Sequence, residues 1–304
     1  MLLALVLGLV AGGVIPLQTS INSRLSGRLG AILPASLVSF TVGTLALAAA
    51  VLVTGTAVPW AATAASQPWW IWVGGLCGLV FLTLNIVLLP RIGASATVVL
   101  PLVGQVFGGL LIDGTGAFGA GVHPLTWVRA LGAALVVGGA VLVNLAGRPA
   151  GTQPQPGHAR SHVVLWVVAV LAGSLGAIQT TVNGRLGQSM GSALAAAMVS
   201  FLVGAVGLAV ICVVTRQRVR RSGEFKPWHF TGGLLGAMFV LVNAYNAPMI
   251  GTSLAVSITL LGQVVTGLLF DHGGWMGVPR RPVTPLRIVG AALVVLGVAL
   301  VRFG

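Results

Sequence analysis

Eight side-chain amides at regular spacing are the residues of this sequence best suited to recognising a polar ligand. Gln18 and Asn22 lie four positions apart, as do Gln179 and Asn183, so each pair shares one face of a helix. We predict that they line a substrate site, although the alternative is that they join helices at about 0.6 kcal/mol each. The predicted substrate-binding set is Gln18, Asn22, Asn85, Gln105, Gln179, Asn183, Asn243 and Gln263.

Two aspartates and two arginines form the second group of candidates. Asp113 and Asp271 each end a predicted helix, where a carboxylate opposes the helix dipole and needs a cationic partner. Arg129 and Arg287 begin the helices that follow, so we predict two salt bridges. The alternative is that these carboxylates carry a coupling proton, which partial burial would allow.

Enzymatic chemistry is not expected from this chain. It contains neither an HExxH metalloprotease motif nor a GxxxxGK phosphate-binding loop. Cys77 and Cys212 lie inside apolar segments, and the five histidines show no metal-ligand spacing. We therefore expect no catalytic residue, no metal, no cofactor and no ATP-driven step.

The composition is that of a membrane protein. Hydrophobic residues make up 57% of the 304 positions and charged residues only 6%, whereas a soluble domain carries roughly 25% charged residues. Sixteen basic and three acidic residues give a net charge of +13. Because the basic residues lie mostly between apolar segments, we assign them to membrane topology and lipid headgroups and exclude nucleic acid as a partner.

Ten apolar segments are long enough to span a bilayer, which takes about 20 residues each. A polar stretch rich in proline and glycine, residues 147–162, separates five segments in residues 1–146 from five in 163–304, and we interpret it as a linker. The predicted helices cover residues 2–20, 32–54, 69–89, 93–112, 126–146, 163–182, 193–214, 229–248, 252–270 and 285–302.

The two halves repeat each other. An offset of 161 pairs Gln18 with Gln179 and Asn22 with Asn183, and an offset of 158 pairs all later candidates, such as Asp113 with Asp271. Shared hydrophobicity cannot produce a constant offset through polar positions. Because each half has five helices, the second half enters the membrane in the opposite orientation, as in the inverted repeats of many secondary transporters.

The distribution of basic residues predicts the orientation. The loops after the odd-numbered helices contain thirteen of the sixteen Lys and Arg residues, with Arg129, Arg185 and Arg302 on the other side. By the positive-inside rule the rich side is cytoplasmic, so both termini face outward. We therefore expect a multi-pass protein of the cytoplasmic (inner) membrane.

Several stretches resemble a known family. PLQTSINSRLSGRLG, SFTVGTLAL and LNIVLLPRIGASATVVLPLVGQ in the first half, with IQTTVNGRLGQSMG and LVNAYNAPMIGTSLAVSITLLGQ in the second, resemble the YdcZ-type family of inner-membrane exporters in the drug/metabolite transporter superfamily. The resemblance implies an exporter formed from two fused five-helix units. The chain differs from the small multidrug exporters of that superfamily. Those exporters carry a glutamate in the first helix, and this chain has none there.

We therefore predict an all-α secondary transporter that exports a small polar or zwitterionic metabolite by alternating access, with proton coupling as the default. Two halves rocking around a central site would move the cargo. A lipid flippase or scramblase that handles headgroups is the alternative. Membrane lipids are expected partners in both cases, and a fused inverted pair is expected to be a monomer rather than a homodimer.

Overall fold

The computed structural model describes residues 1–146, 159–219, 224–274 and 282–304. Every regular element within these ranges is helical. The α-helices are α1 (Leu2–Gly13), α2 (Ile15–Leu29), α3 (Ile32–Thr54), α4 (Trp60–Ser66), α5 (Gly74–Thr115), α6 (Trp127–Ala146), α7 (Ala159–Met190), α8 (Ala193–Val214), α9 (Thr231–Ile250), α10 (Thr252–Gly273) and α11 (Pro285–Phe303). Short 3-10 helices cover Trp69–Trp72, Ala117–Gly119 and Pro227–Phe230.

The first predicted helix, residues 2–20, is a pair of helices that meet at Val14. Pro16 lies in the first turn of α2, where a missing N–H costs nothing. Val14 keeps helical backbone angles (φ −80°, ψ −14°), so α1 and α2 form one continuous helical stretch of 28 residues, of which the first part is apolar. This stretch ends at Leu29 rather than at residue 20, because Gly30 adopts the left-handed conformation that stops a helix.

The segments predicted as helices 69–89 and 93–112 lie largely within one element, α5, of 42 residues. This element is not straight. A 26-residue separation in a straight helix spans about 39 Å, yet Gly78 lies against Gln179 and Gly104 against Val170 and Ser174, all within nine positions of α7. The chain therefore bends back between Gly78 and Gly104.

The corresponding segments of the second half are separate helices joined at Gly251. Pro248 lies inside α9, which continues to Ile250, so the prediction that the helix ends at residue 248 is wrong by two residues. Gly251 makes the turn because its φ of 81° is open to glycine. Asn243 Oδ1 and Thr259 Oγ1, eight positions on either side, are 3.5 Å apart, so α9 and α10 run antiparallel.

Eight helical stretches among the described residues are long and apolar enough to cross a membrane, which makes the chain an all-helical, multi-pass protein. The other two predicted segments fall on α5, whose portion Leu100–Thr115 is a shorter apolar helix. Residues 147–158 of the predicted linker lie outside the described residues. Helix α7 begins at Ala159, four residues before the predicted start of the second half.

Glycines at helix crossings let the two halves of the chain approach closely. Phe40 and Phe201, which the offset of 161 pairs, stack with ring centroids 4.9 Å apart where α3 meets α8. Each ring occupies the space that a Cβ would need on the other helix, at Gly204 and at Gly43 respectively. The contact between α3 and α8 therefore depends on residues without a side chain at both positions.

A pair of matched substitutions in α10 tests this close packing. A Cβ on Gly262 would overlap the carbonyl oxygen of Leu9 in α1, whereas a Cβ on Gly267 would meet nothing within 4 Å. We expect Gly262→Ala to cost about 1–3 kcal/mol through overpacking. Gly267→Ala should instead add up to about 1 kcal/mol, because alanine is the better helix former. Unfolding in detergent measures both, and equal effects would contradict this account of the α1–α10 contact.

Candidate functional site

Two of the predicted amides in the first half pack against glycines of α9. We call the space left by a missing Cβ a glycine notch. The Oδ1 atom of Asn22 fills the notch of Gly232, and the Nε2 atom of Gln18 fills that of Gly236. Amides four positions apart on α2 therefore meet glycines four positions apart on α9, and no side chain larger than hydrogen fits at either glycine.

The same arrangement occurs between α7 and α5. Asn183 fills the notch of Gly74, and a Cβ on Gly78 would lie 2.9 Å from Nε2 of Gln179. The sequence offsets pair these four residues with the four of the α2–α9 contact. The structure thus places all four amides where one half of the chain contacts the other.

The hydrogen bonds of the two asparagines differ. Asn22 Oδ1 accepts a bond of 3.0 Å from Ser39 Oγ. Asn183 is 2% exposed, and its Oδ1 has no hydrogen-bond partner within the described residues. A buried acceptor without a donor costs about 1–3 kcal/mol, so Asn183 is the amide of this group with an open hydrogen-bonding position.

The remaining predicted amides lie near these contacts or in the helices behind them. Gln105 packs against Gly176, one turn of α7 from Gln179. Asn243 is buried and donates to the Phe239 carbonyl oxygen at 2.9 Å. Gln263 is half-buried. The side chain of Asn85 lies outside the described residues.

Equivalent positions on α2 and α7 differ in exposure. Thr19 is exposed, whereas its counterpart Thr180 is 7% exposed. Asn22 is half-buried, whereas its counterpart Asn183 is 2% exposed. Thr19 and Asn22 are therefore more accessible than their counterparts, and we call this end of α2 the open end and the matching end of α7 the closed end.

Aromatic and apolar residues cover the closed end. Trp70 contacts the edge of Phe118 at 5.5 Å between ring centroids. Ile71 and Leu186 are 0% and 1% exposed and belong to one apolar cluster. The side chain of Arg185 packs against the turn that carries Phe118. The cluster of Ile71 with Leu186 and the contact of Arg185 with this turn join the two halves at the closed end.

A pocket of about 370 Å³ lies at the open end. The guanidinium carbon of Arg24 lies 5.5 Å from the centre of the Trp228 ring, a cation–π distance. The pocket is lined by Arg24, Gly27, Arg28, Lys226, Trp228 and His229. The residues from the second half that meet Arg24 were not predicted, because no local sequence signal connects α2 to the start of α9.

Asp113 lies at the end of α9 that is far from this pocket, where it binds the start of α10. Its Oδ1 accepts the Thr252 backbone N–H at 2.8 Å, and its Oδ2 accepts the Ser253 backbone N–H at 2.9 Å. The Oγ of Ser253 donates to Oδ2 at 2.6 Å, and Arg129 donates to it at 3.3 Å. This carboxylate from the first half therefore caps a helix of the second half, a contact that the sequence did not predict.

The two arginines that were predicted to pair with Asp113 and Asp271 lie in the first turns of α6 and α11. Arg129 is 7% exposed and also donates to the carbonyl oxygen of His123 at 2.8 Å. Arg287 is 3% exposed at the start of α11. The side chain of Asp271 lies outside the described residues, and so does the second predicted salt bridge. Asp113 is fully buried and accepts hydrogen bonds from four donors.

Two glycine motifs match catalytic patterns in letters but not in structural context. Residues 187–191 read GQSMG and residues 114–119 read GTGAFG, which fit the esterase and dinucleotide-binding patterns. Both patterns require a strand that leads into a helix, whereas these segments lie at the ends of helices α7 and α5. Within the described residues, no cluster of three metal-ligating side chains is present either.

Comparisons with known proteins agree with this architecture. The sequence profile described as "Putative inner membrane exporter, YdcZ" matches residues 3–142 and 164–300, which confirms the resemblance inferred from the sequence. A relative from Escherichia coli (strain K12), "Inner membrane protein YdcZ", is 30% identical over 142 residues, 45% of this chain and 94% of that protein. A solved structure described only as "Crystal structure of protein" has a TM-score of 0.72 at 17% identity, covering 98% of this chain and 96% of that one, which shows a shared fold.

Proposed function

Because the chain belongs to the YdcZ family of inner membrane exporters, we propose that it is a secondary transporter that exports a small polar or zwitterionic molecule by alternating access. The observation that carries this proposal is the unequal exposure of paired positions on α2 and α7. An inverted pair of equal halves that is open at one end and closed at the other corresponds to one state of such a cycle.

The proposed moving parts are two five-helix halves, residues 1–146 and 163–304. The paired glycine notches and the Phe40–Phe201 stack support this division, because the offsets relate the α2–α9 notches to the α7–α5 notches and relate Phe40 to Phe201. The length of the Escherichia coli relative, close to half of this chain, also supports it. In the reverse state, the end of α7 would open and the end of α2 would close.

The cargo is proposed to bind between the amide pairs of α2 and α7. Asn183 offers a buried acceptor with no partner among the described residues, and Gln18, Asn22 and Gln179 offer further donors and acceptors. The positive-inside count places the open end of α2 on the cytoplasmic side, which suits the loading step of an exporter. Asp113 is proposed to be structural, so proton coupling would need a different group.

A thermal-shift screen of the purified chain against a panel of polar metabolites tests this function. A ligand at 100 times its Kd stabilises a protein by about 2.7 kcal/mol. We expect one chemical class to stabilise the chain and Gln18→Ala/Gln179→Ala to abolish the effect. Asn144→Ala is the matched control, because Asn144 bonds the Ala140 carbonyl oxygen of its own helix.

The lipid-handling alternative predicts a different pattern in the same screen. No soluble compound would bind, and a single phospholipid would stabilise the chain equally with and without the two glutamines. That result would reject the amide site and replace export of a soluble metabolite by transfer of lipid headgroups.

A further inference from the structure

The pocket at the open end of α2 concentrates positive charge. Arg24 and Arg28 lie one helical turn apart on α2, and the segment before α9 brings Lys226 to the same pocket. We call this site the basic pocket. Within the described part of the chain, no ion pair joins any of these three cations to an acidic side chain. Like charges at this spacing repel each other, so an anion in the pocket would relieve the repulsion.

The basic pocket also orients its donors. The Trp228 ring lies against the Arg24 guanidinium, which restrains a side chain that would otherwise be mobile. His229 is 2% exposed, and its Nδ1 accepts the Lys226 backbone N–H at 3.0 Å. The ring proton of the neutral imidazole is therefore on Nε2, which makes His229 a further donor.

This set of donors matches one chemical group. Guanidinium and ammonium groups together with an imidazole N–H suit the several oxygens of a phosphate, which accepts charge-assisted hydrogen bonds from multiple directions. A volume of about 370 Å³ holds such a group together with a small organic portion.

The closed end lacks the same charge. The offsets pair Arg24 with Arg185, but they pair Arg28 with Ser189 and Lys226 with Pro68. Three cations at the open end, or mouth, therefore correspond to one cation at the mouth formed by the closed end. A charged molecule would be held at the open mouth and released more readily at the opposite one.

We propose that the basic pocket binds a phosphate group at the mouth through which cargo enters. The assignment of this mouth to loading rests on the proposed export function, whereas phosphate binding does not. The phosphate belongs to a soluble molecule or to an anionic lipid headgroup, and the experiment below separates these sources.

The test uses the full-length chain, delipidated in an uncharged maltoside detergent or placed in nanodiscs. In detergent, unfolding temperature is followed against inorganic phosphate and glycerol 3-phosphate, with chloride at equal ionic strength as baseline. In nanodiscs, phosphatidylcholine alone is compared with phosphatidylcholine plus phosphatidylglycerol. We expect Arg24→Gln/Arg28→Gln to weaken the apparent affinity for phosphate at least tenfold. Arg216→Gln/Arg218→Gln, which removes the same charge from exposed positions outside the pocket, should leave it unchanged.

Stabilisation by soluble phosphate in detergent identifies a free phosphate-bearing molecule, and stabilisation only by phosphatidylglycerol identifies a headgroup; both support the site. Equal effects of phosphate and chloride together with no effect of phosphatidylglycerol overturn it, as does equal loss in the two double variants. A third variant, Arg24→Lys/Arg28→Lys, keeps the positive charge and so separates loss of charge from misfolding. Binding without transport of any panel compound would reject export alone, and transport without phosphate binding would reject this site alone.

Discussion

Replacing Asp113 by alanine is expected to lower the free energy of unfolding by about 3–5 kcal/mol. Arg129 would remain buried without its counter-charge, and removing one partner of a buried ion pair typically costs this much. The backbone N–H groups of Thr252 and Ser253 would also lose their acceptor. Equilibrium unfolding of the purified chain in detergent measures the loss.

Two further variants separate this cause from general damage. Glu224→Ala removes an exposed carboxylate, and we expect a change within about 0.5 kcal/mol. Asp113→Leu/Arg129→Met removes both buried charges and should recover part of the stability, as apolar replacements of buried ion pairs do. A loss below about 1 kcal/mol for Asp113→Ala would show that the carboxylate does not anchor α10.

Cross-linking the two halves is expected to abolish transport. A Cβ at Gly13 would lie 3.8 Å from the Cβ of Thr266, which is the mean separation in a disulfide. In a chain with Cys77→Ala and Cys212→Ala, oxidised Gly13→Cys/Thr266→Cys should reduce efflux at least tenfold, and a reductant should restore it. Efflux from proteoliposomes of the compound identified by the panel provides the measurement.

A cross-link inside one half provides the control. Gly187 and Ala196 both belong to the second half, and a Cβ at Gly187 would lie 3.7 Å from the Cβ of Ala196. Oxidised Gly187→Cys/Ala196→Cys should leave efflux unchanged, because neither residue moves relative to the other when the halves rock. If the Gly13–Thr266 cross-link forms and efflux continues, rocking of the two halves is not the mechanism.

The helices were predictable where hydrophobic length and local stop signals agree. The span predicted at residues 32–54 is α3 itself, because Gly55 ends that helix in the left-handed conformation. The error at residues 2–20 has a physical cause: α2 continues as a polar helix past the apolar segment, and hydropathy does not register such a continuation. Pro248 did not end α9, since a proline near a helix end loses only one hydrogen bond.

The site was predictable only as a set of residue types. Spacing placed Gln18 and Asn22 on one helix face, and the glycines four apart at 74–78 and 232–236 were visible in the sequence. That these amides fill those glycine notches depends on contacts between helices more than 50 residues apart, which no local pattern encodes. The cap that Asp113 provides for α10 was missed for the same reason, although Thr252 and Ser253 were visible as polar residues at a predicted helix start.

The unequal charge of the two mouths has a consequence for how such a chain can evolve. A half-length chain that assembles with an inverted copy of itself carries every residue twice, so a substitution at one mouth also appears at the other. A single chain holding both halves is free of this constraint. Arg28 and Lys226 at one mouth, with Ser189 and Pro68 as counterparts, are a difference that two identical subunits could not encode. In the proposed export cycle, joining the halves therefore allows the direction of transport to be encoded in the sequence itself.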